Sequence, residues 1–286
     1  MVSMPIVVGT DGSEQAGRAV EWAACEAVRR GAALRIVSVP AMPSRMRAYD
    51  SSPATVAHFM REYSVAALSA AAKRAGEVAP RLPAETELLT GAPATALIAS
   101  AAGAAMLVVG ARGGGGFGAM ALGSVSRYAA LHAPCPVVVA REDTMAVHRK
   151  VAVGVADPAE AGDSLGFAFE EASLRGAQLT AVHAVHHFRL AATRQSPVVP
   201  GPGEAVAAAE LGKALAEWQD KYPEVRVQPD VVWGHPGQVL AGYSAHVDLL
   251  VIGRHGVQEG AASVASILHP VLGHAHSAVA IIPSAH

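Results

Sequence analysis

The chain has little cysteine, little net charge and no long apolar run, and each shortage closes off a class of function. Its two cysteines, Cys25 and Cys135, are far apart in 286 residues. They match neither a disulfide framework nor a metal-ligand spacing. Cys25 falls in an Ala-rich helical pattern and Cys135 precedes a valine run, so both are expected to be small core residues. A net charge of -2 gives no general attraction for nucleic acid or an acidic membrane surface. No apolar segment reaches the length of a membrane span, because charges, Gly or Pro interrupt each one. The opening MVSMPIVVGTDGS lacks the charged region and long apolar stretch of a signal peptide, which sets the expectation of a cytoplasmic protein. There is no Gly-x-Ser-x-Gly elbow and no His-Glu-x-x-His, so hydrolase and zinc-protease chemistry find no support. What the chain does have is a hydrophobic half, 51% of its residues, enough for a sizeable core in one large or two ordinary domains.

The chain is written twice. Ile6–Val39 (IVVGTDGSEQAGRAVEWAACEAVRRGAALRIVSV) aligns without a gap with Val151–Ala184 (VAVGVADPAEAGDSLGFAFEEASLRGAQLTAVHA), at an offset of 145. Further on, GAPATALIASAAGAAMLVVGARGG from Gly91 matches GHPGQVLAGYSAHVDLLVIGRHGV from Gly234. The repeat takes up half the chain, so it is a duplicated domain and not a solenoid unit. A polar join, REDTMAVHRK at 141–150, separates domains expected at 1–143 and 148–286. Strands are predicted at 5–9, 34–39, 84–89, 105–110 and 136–140 of the first copy, alternating with helices. Continuous Val/Ile/Leu runs between helices imply parallel strands buried on both faces. The expected class is therefore α/β, with two tandem doubly wound domains, each a five-stranded parallel sheet flanked by helices on both faces. Ligands then belong beyond the carboxyl ends of the strands where the strand order reverses, at the loops Thr10–Ser13 and Ala111–Leu122. Segments 41–60 and 186–203, richer in Pro, Ser, Arg or His, are expected to be flaps near the same edge.

The second of those loops is dense in glycine: Gly113 to Gly116, then Gly118. A P-loop needs a lysine, and none stands between Lys73 and Lys150. Gly113, Gly115 and Gly118 fit a dinucleotide fingerprint. The acid that should follow about 20 residues on is missing, since that region reads APCPVVVA. A third pattern joins Asp11, after strand one, to Gly110-x-x-Gly113, nine residues, then Gly123-Ser124. Together with VVGTDGS, WAACEAV, LRIVSV, LVVGARG, GSVS and APCPVVVA, this resembles the universal stress protein family in its ATP-binding subgroup. The resemblance covers essentially the whole chain in two copies, and brings with it the family's adenine-nucleotide α-hydrolase-like fold.

That resemblance implies an ATP site, with Mg²⁺ as companion ion, built from Gly9, Thr10, Asp11, Val39, Gly110, Arg112, Gly113, Gly123, Ser124, Val125 and Ser126. The acid matching Asp11 bonds the nucleoside, and the valine matching Val39 packs on the base. Glycines at 110 and 113 let backbone N–H groups approach phosphate. Gly123-Ser124 opens a helix whose first amides favour an anion, with the hydroxyls of Ser124 and Ser126 as further donors. Arg112 either pairs with phosphate or is a solvated loop arginine. In the second copy Ala156 replaces Asp11, Asp157 comes one step late, and Ala265-Ser266 replaces Gly-Ser. A weaker or empty second site at Gly154, Asp157, Gly253, Gly256 and Ser266 is expected. His186-His187 and His274-x-His276 suggest metal ligands, but no cysteine or carboxylate spacing completes a set, and no protein-held metal is expected. The last strands, Pro136–Ala140 and Ala278–Pro283, need covering, either by pairing inside one chain as a pseudo-dimer or between two chains. The resulting function is an ATP-binding stress-response sensor or regulator. A nucleotide-independent oligomeric interaction module, and a slow ATPase or autophosphorylating protein using Ser124 or Ser126, stay as alternatives.

Overall fold

A computed structural model describes residues 4–41, 52–113, 122–141, 147–185, 202–254 and 264–284. In the first unit the chain runs β1 (Ile6–Gly9), α1 (Glu14–Arg30), β2 (Leu34–Ser38), α2 (Pro53–Val78), β3 (Ala84–Leu88), α3 (Pro93–Ser100), β4 (Met106–Gly110), α4 (Ser124–His132), β5 (Val137–Ala140). These strands are parallel, in the order β3-β2-β1-β4-β5. Ile6, Val7, Val8, Leu107, Val108 and Val138 are fully buried, as expected of a parallel sheet covered by helices on both faces. Helix α1 packs with α2, and α3 with α4. At the edge, β3 is largely exposed and carries Glu85 and Glu87.

The second unit repeats the plan with β6 (Lys150–Gly154), α5 (Gly162–Arg175), β7 (Gln178–Val185), α6 (Pro202–Lys221), β8 (Val227–Trp233), α7 (Pro236–Tyr243), β9 (Leu249–Gly253) and α8 (Val264–His274). Its strands are parallel in the order β8-β7-β6-β9. Both copies end their first helix the same way. Gly31 and Gly176 take the left-handed conformation (φ 59° and 56°) and cap the last carbonyls, as glycine does best. Each helix also hides a glutamate. Glu26 is fully buried and bonded to Arg30 at 2.9 Å and Arg29 at 3.2 Å, and Glu171, equally buried, bonds Arg175.

The fifth strand of the second copy, β10 (Ala278–Ile282), packs with the first unit. It runs antiparallel to β5, with Val279 opposite Val139 and Ile281 opposite Val137. The first sheet thus has five parallel strands and one antiparallel strand. The reason is the one that makes bare edges rare: β5 is a fully apolar strand, and its free backbone groups need a partner. Two further details differ from the sequence reading. Residues 53–60, expected in a flap, form the first turns of α2, started by Ser52, whose side chain accepts from the Thr55 amide, and by Pro53 in the first turn. Cys135 is buried as expected, whereas Cys25 is only half-buried.

Candidate nucleotide site

Strand β1 has β2 on one side and β4 on the other, so the strand order reverses between β1 and β4. Their carboxyl ends, Gly9 and Gly110, open the crevice where such sheets take ligands. The β1–α1 turn is held by its own short side chains. Thr10 is buried, donates its amide to the Val37 carbonyl at 2.9 Å and accepts from the Gly12 amide on its hydroxyl at 3.3 Å. Asp11 accepts the Ser13 amide on Oδ1 at 3.0 Å. Gly12 sits at φ +79°, a conformation natural only to glycine. Ser13 then caps α1 by accepting from the Ala16 amide at 3.3 Å.

The other oxygen of Asp11 faces the loop after β4: a Cβ built on Gly113 would lie 2.4 Å from Asp11 Oδ2. Gly123 closes the arrangement. As N-cap of α4 it has no side chain to satisfy the helix start, and its amide donates to the Ala111 carbonyl at 2.8 Å. A Cβ there would be 3.7 Å from the Gly113 nitrogen. The first intrahelical bond is Arg127 to Gly123. The amides of Ser124, Val125 and Ser126 therefore precede it, at the positive end of the helix dipole. A carboxylate, a side-chain-free backbone and a helix start meet in one place. Arg112, Gly113 and Ser124 are exposed there, and Val39 is half-buried just beyond β2. Loop residues 114–121, residues 42–51 of the 41–60 segment, residues 186–201 with His186 and His187, and Gly256 lie outside the described residues.

Three of the sequence-predicted residues serve the framework. At Gly110 a Cβ would stand 2.9 Å from the Gln15 carbonyl oxygen and 3.2 Å from the Ala16 nitrogen. Its missing side chain lets β4 touch the first turn of α1. Ser126 is buried and donates its hydroxyl to the Gly110 carbonyl at 2.6 Å, so its proton is already committed. Gly9 leaves room for Leu97 of α3, 3.1 Å from where a Cβ would be. Sequence reasoning missed one neighbour: Tyr63 of α2, whose hydroxyl would be 3.0 Å from a Cβ on Gly12. The signal was there, since Phe59 and Tyr63 are exposed aromatics one helical turn apart in a chain with few.

In the second copy the same places are filled differently. Gly154 makes room for Leu240 as Gly9 does for Leu97. Asp157 accepts the Ala159 amide at 2.8 Å and closes its own turn. His183 Nδ1 lies 2.9 Å from the Val155 carbonyl. A carbonyl can only accept, so this nitrogen carries the proton. Gly253 ends β9, and the side chain of Ser266 lies outside the described residues.

Among the described residues no cluster of His, Cys, Asp or Glu could hold a metal ion, and no helix is long and apolar enough to cross a membrane. Comparison with known proteins agrees with this architecture. A curated universal stress protein of Mycobacterium tuberculosis is 32% identical over 269 residues, which is 88% of this chain and 87% of that one. A second from the same species is 35% identical over 256 residues, covering 89% and 90%. The crystal structure of a universal stress protein from Archaeoglobus fulgidus superposes with a TM-score of 0.74 at 15% identity, over 98% of this chain and 96% of that one, which speaks for the fold. The profile of the universal stress protein family matches residues 3–141 and again 148–283. With two such matches over nearly its whole length, the chain belongs to the universal stress protein family.

Proposed function

We propose that the first repeat binds ATP with Mg²⁺ between the β1 and β4 loops, and that the chain is a cytoplasmic, nucleotide-dependent regulator of the stress response. The observation that carries this is the meeting of Asp11 Oδ2 with Gly113, beside the uncapped start of α4. A carboxylate acceptor at one end of a crevice and backbone donors at the other suit a ligand that is a hydroxylated nucleoside at one end and an anion at the other. Asp11 would hold the nucleoside, Val39 the base, and Gly113 with the amides of Ser124 and Val125 the phosphates. Arg112, exposed next to Gly113, would add a bidentate cation to the phosphates. Bound Mg²⁺ supplies neutralisation of phosphate charge. In the second repeat Ala156 stands in the place of Asp11 and Asp157 comes one residue later, so that copy binds nucleotide weakly or not at all.

The test is direct. Heat-denature the purified protein, quantify released nucleotide by chromatography, then titrate the stripped protein with Mg-ATP and follow thermal unfolding. The expected result is about one ATP per chain, or a stabilisation of about 2.7 kcal/mol at a hundredfold excess over Kd. No released nucleotide and no stabilisation would remove the reading and leave an interaction module.

A further inference from the structure

A groove of about 360 Å³ lies in the first unit, away from the crevice, lined by Arg35, Glu87, Leu89, Ala96, Ala99 and Ser100 among others. It runs between the outer strands and α3. Arg35 donates from its guanidinium to the Ser100 carbonyl at the end of α3. Glu87 is exposed on β3, and no hydrogen bond or ion pair joins it to any described residue.

The second repeat is built differently at this place. At the offset of 143 set by Gly91 and Gly234, Glu87 pairs with Asp230, and Thr90, Ala96 and Ser100 pair with the larger Trp233, Val239 and Tyr243. Leu89 and Ala99 pair instead with the smaller Val232 and Gly242, and Arg35, at the offset of 145, with Thr180. There Tyr243, at the end of α7, donates its hydroxyl to Asp230 of β8. Burial, and secondarily that bond, push its phenol up to about 12, so the proton stays on the ring oxygen. The second repeat thus carries a built-in phenol on an acid, and the first keeps the acid and lacks the phenol. A volume of this size is at the lower end of the range that small-molecule sites occupy.

We infer that the first repeat's groove is a binding site for small para-substituted phenols. The ring lies against Leu89, Ala96 and Ala99, and the hydroxyl donates to Glu87 as that of Tyr243 does to Asp230. The alkyl substituent points to the mouth, and Arg35 closes one side. This inference is independent of nucleotide binding.

The experiment uses the full chain with p-cresol as the probe and toluene as the ring without a hydroxyl, followed by ligand-observed NMR. The expected result is saturable millimolar binding of p-cresol, about tenfold tighter than toluene for one added hydrogen bond to a charged acceptor. Glu87→Ala, at an exposed position that the fold does not need, removes the preference for p-cresol. Ser100→Tyr, which installs the second repeat's own plug, abolishes binding. The inference is overturned if p-cresol binds no better than toluene, or if Glu87→Ala leaves the preference intact. Should Ser100→Tyr fail to fold, the Glu87→Ala comparison decides alone.

Discussion

The two copies begin with the same strand and part ways two residues after it. In the first, Asp11 ties one oxygen to the Ser13 amide and turns the other toward Gly113, bridging two loops. In the second, the acid comes one residue later, and Asp157 caps the Ala159 amide of its own turn. The helix that follows differs as well: Ser13 caps α1 with its side chain, whereas Ala161, the N-cap of α5, makes no side-chain cap. Both acids brace their own turn, and in the first copy the second carboxylate oxygen also lies against Gly113 of the facing loop.

The comparison sharpens most where both copies share a feature. Glu26 and Glu171 are each fully buried, and the aligned arginines that bond them are nearly so, Arg30 12% and Arg175 8% exposed. Glu171→Ala and Glu26→Ala each break a buried ion pair and are each expected to cost about 3–5 kcal/mol. Urea unfolding, with Trp218 reporting the second unit and Trp22 the first, measures both. A loss confined to one copy would contradict the shared role.

Next comes the nucleotide. Asp11→Ala is expected to weaken ATP binding by roughly 10- to 150-fold, the loss of about 1.5–3 kcal/mol for a charged acceptor. Asp157→Ala leaves binding unchanged. Calorimetric titration of the two variants would contradict the assignment if their effects were equal or reversed. Glycines separate framework from ligand contact in the same way. Gly110→Ala drives a methyl into the Gln15 carbonyl and is expected to cost about 1–3 kcal/mol of stability by overpacking. Gly123→Ala meets only ordinary contacts near 3.6 Å. It is expected to lower stability by less than about 1 kcal/mol while reducing the thermal shift that Mg-ATP produces.

A third pair of glycines lies where the first two helices of each unit cross. A Cβ on Gly166 would be 2.5 Å from the Trp218 ring, and one on Gly17 would be 2.3 Å from the end of the Arg74 side chain. Indole cannot step aside in a packed site, whereas a guanidinium on a flexible stem can. Gly166→Ala is therefore expected to cost about 1–3 kcal/mol and Gly17→Ala clearly less, by thermal unfolding of each variant. The smallest effect concerns pH. Arg74 bonds Glu14 at 2.9 Å and Glu21 at 2.6 Å. Its hydrogen bond and charge hold the Glu14 carboxyl below the usual range. A carboxyl whose pKa is lowered by folding adds stability above its unfolded pKa and loses it as pH falls through the folded one. The aligned positions in the second repeat, Ala159 and Gly166, have no carboxyl. Arg74→Ala is expected to flatten the acid limb of the first unit's stability and leave the second unit's unchanged.

Much of the fold was legible in the residues. Strands such as Val7–Gly9 and Leu107–Gly110 read as unbroken apolar runs because both faces are covered, and Gly31 and Gly176 announce helix ends. The meeting of the β1 and β4 loops followed from the switch point. What could not be read is why a given glycine is there. Gly110 spells the same whether it admits a phosphate or the first turn of α1, and only the neighbouring backbone decides. Ser126 has the right chemistry for an anion but is turned inward to a carbonyl. Residues 53–60 were read from their composition as flap, although Ser52-Pro53 is a helix start that the letters already contain. The partner of β5 lay beyond any local pattern, because edge pairing joins segments far apart in sequence.

That last pairing bears on how the protein is made. Strand β10 is synthesised after every other element of the second copy, yet it completes the sheet of the first. During translation the first unit emerges with β5, a bare run of Val137–Ala140, exposed along one side. Such an edge invites strands from other nascent chains, so the interval before β10 arrives is the protein's most vulnerable moment. A gene cut after the first repeat would make that moment permanent.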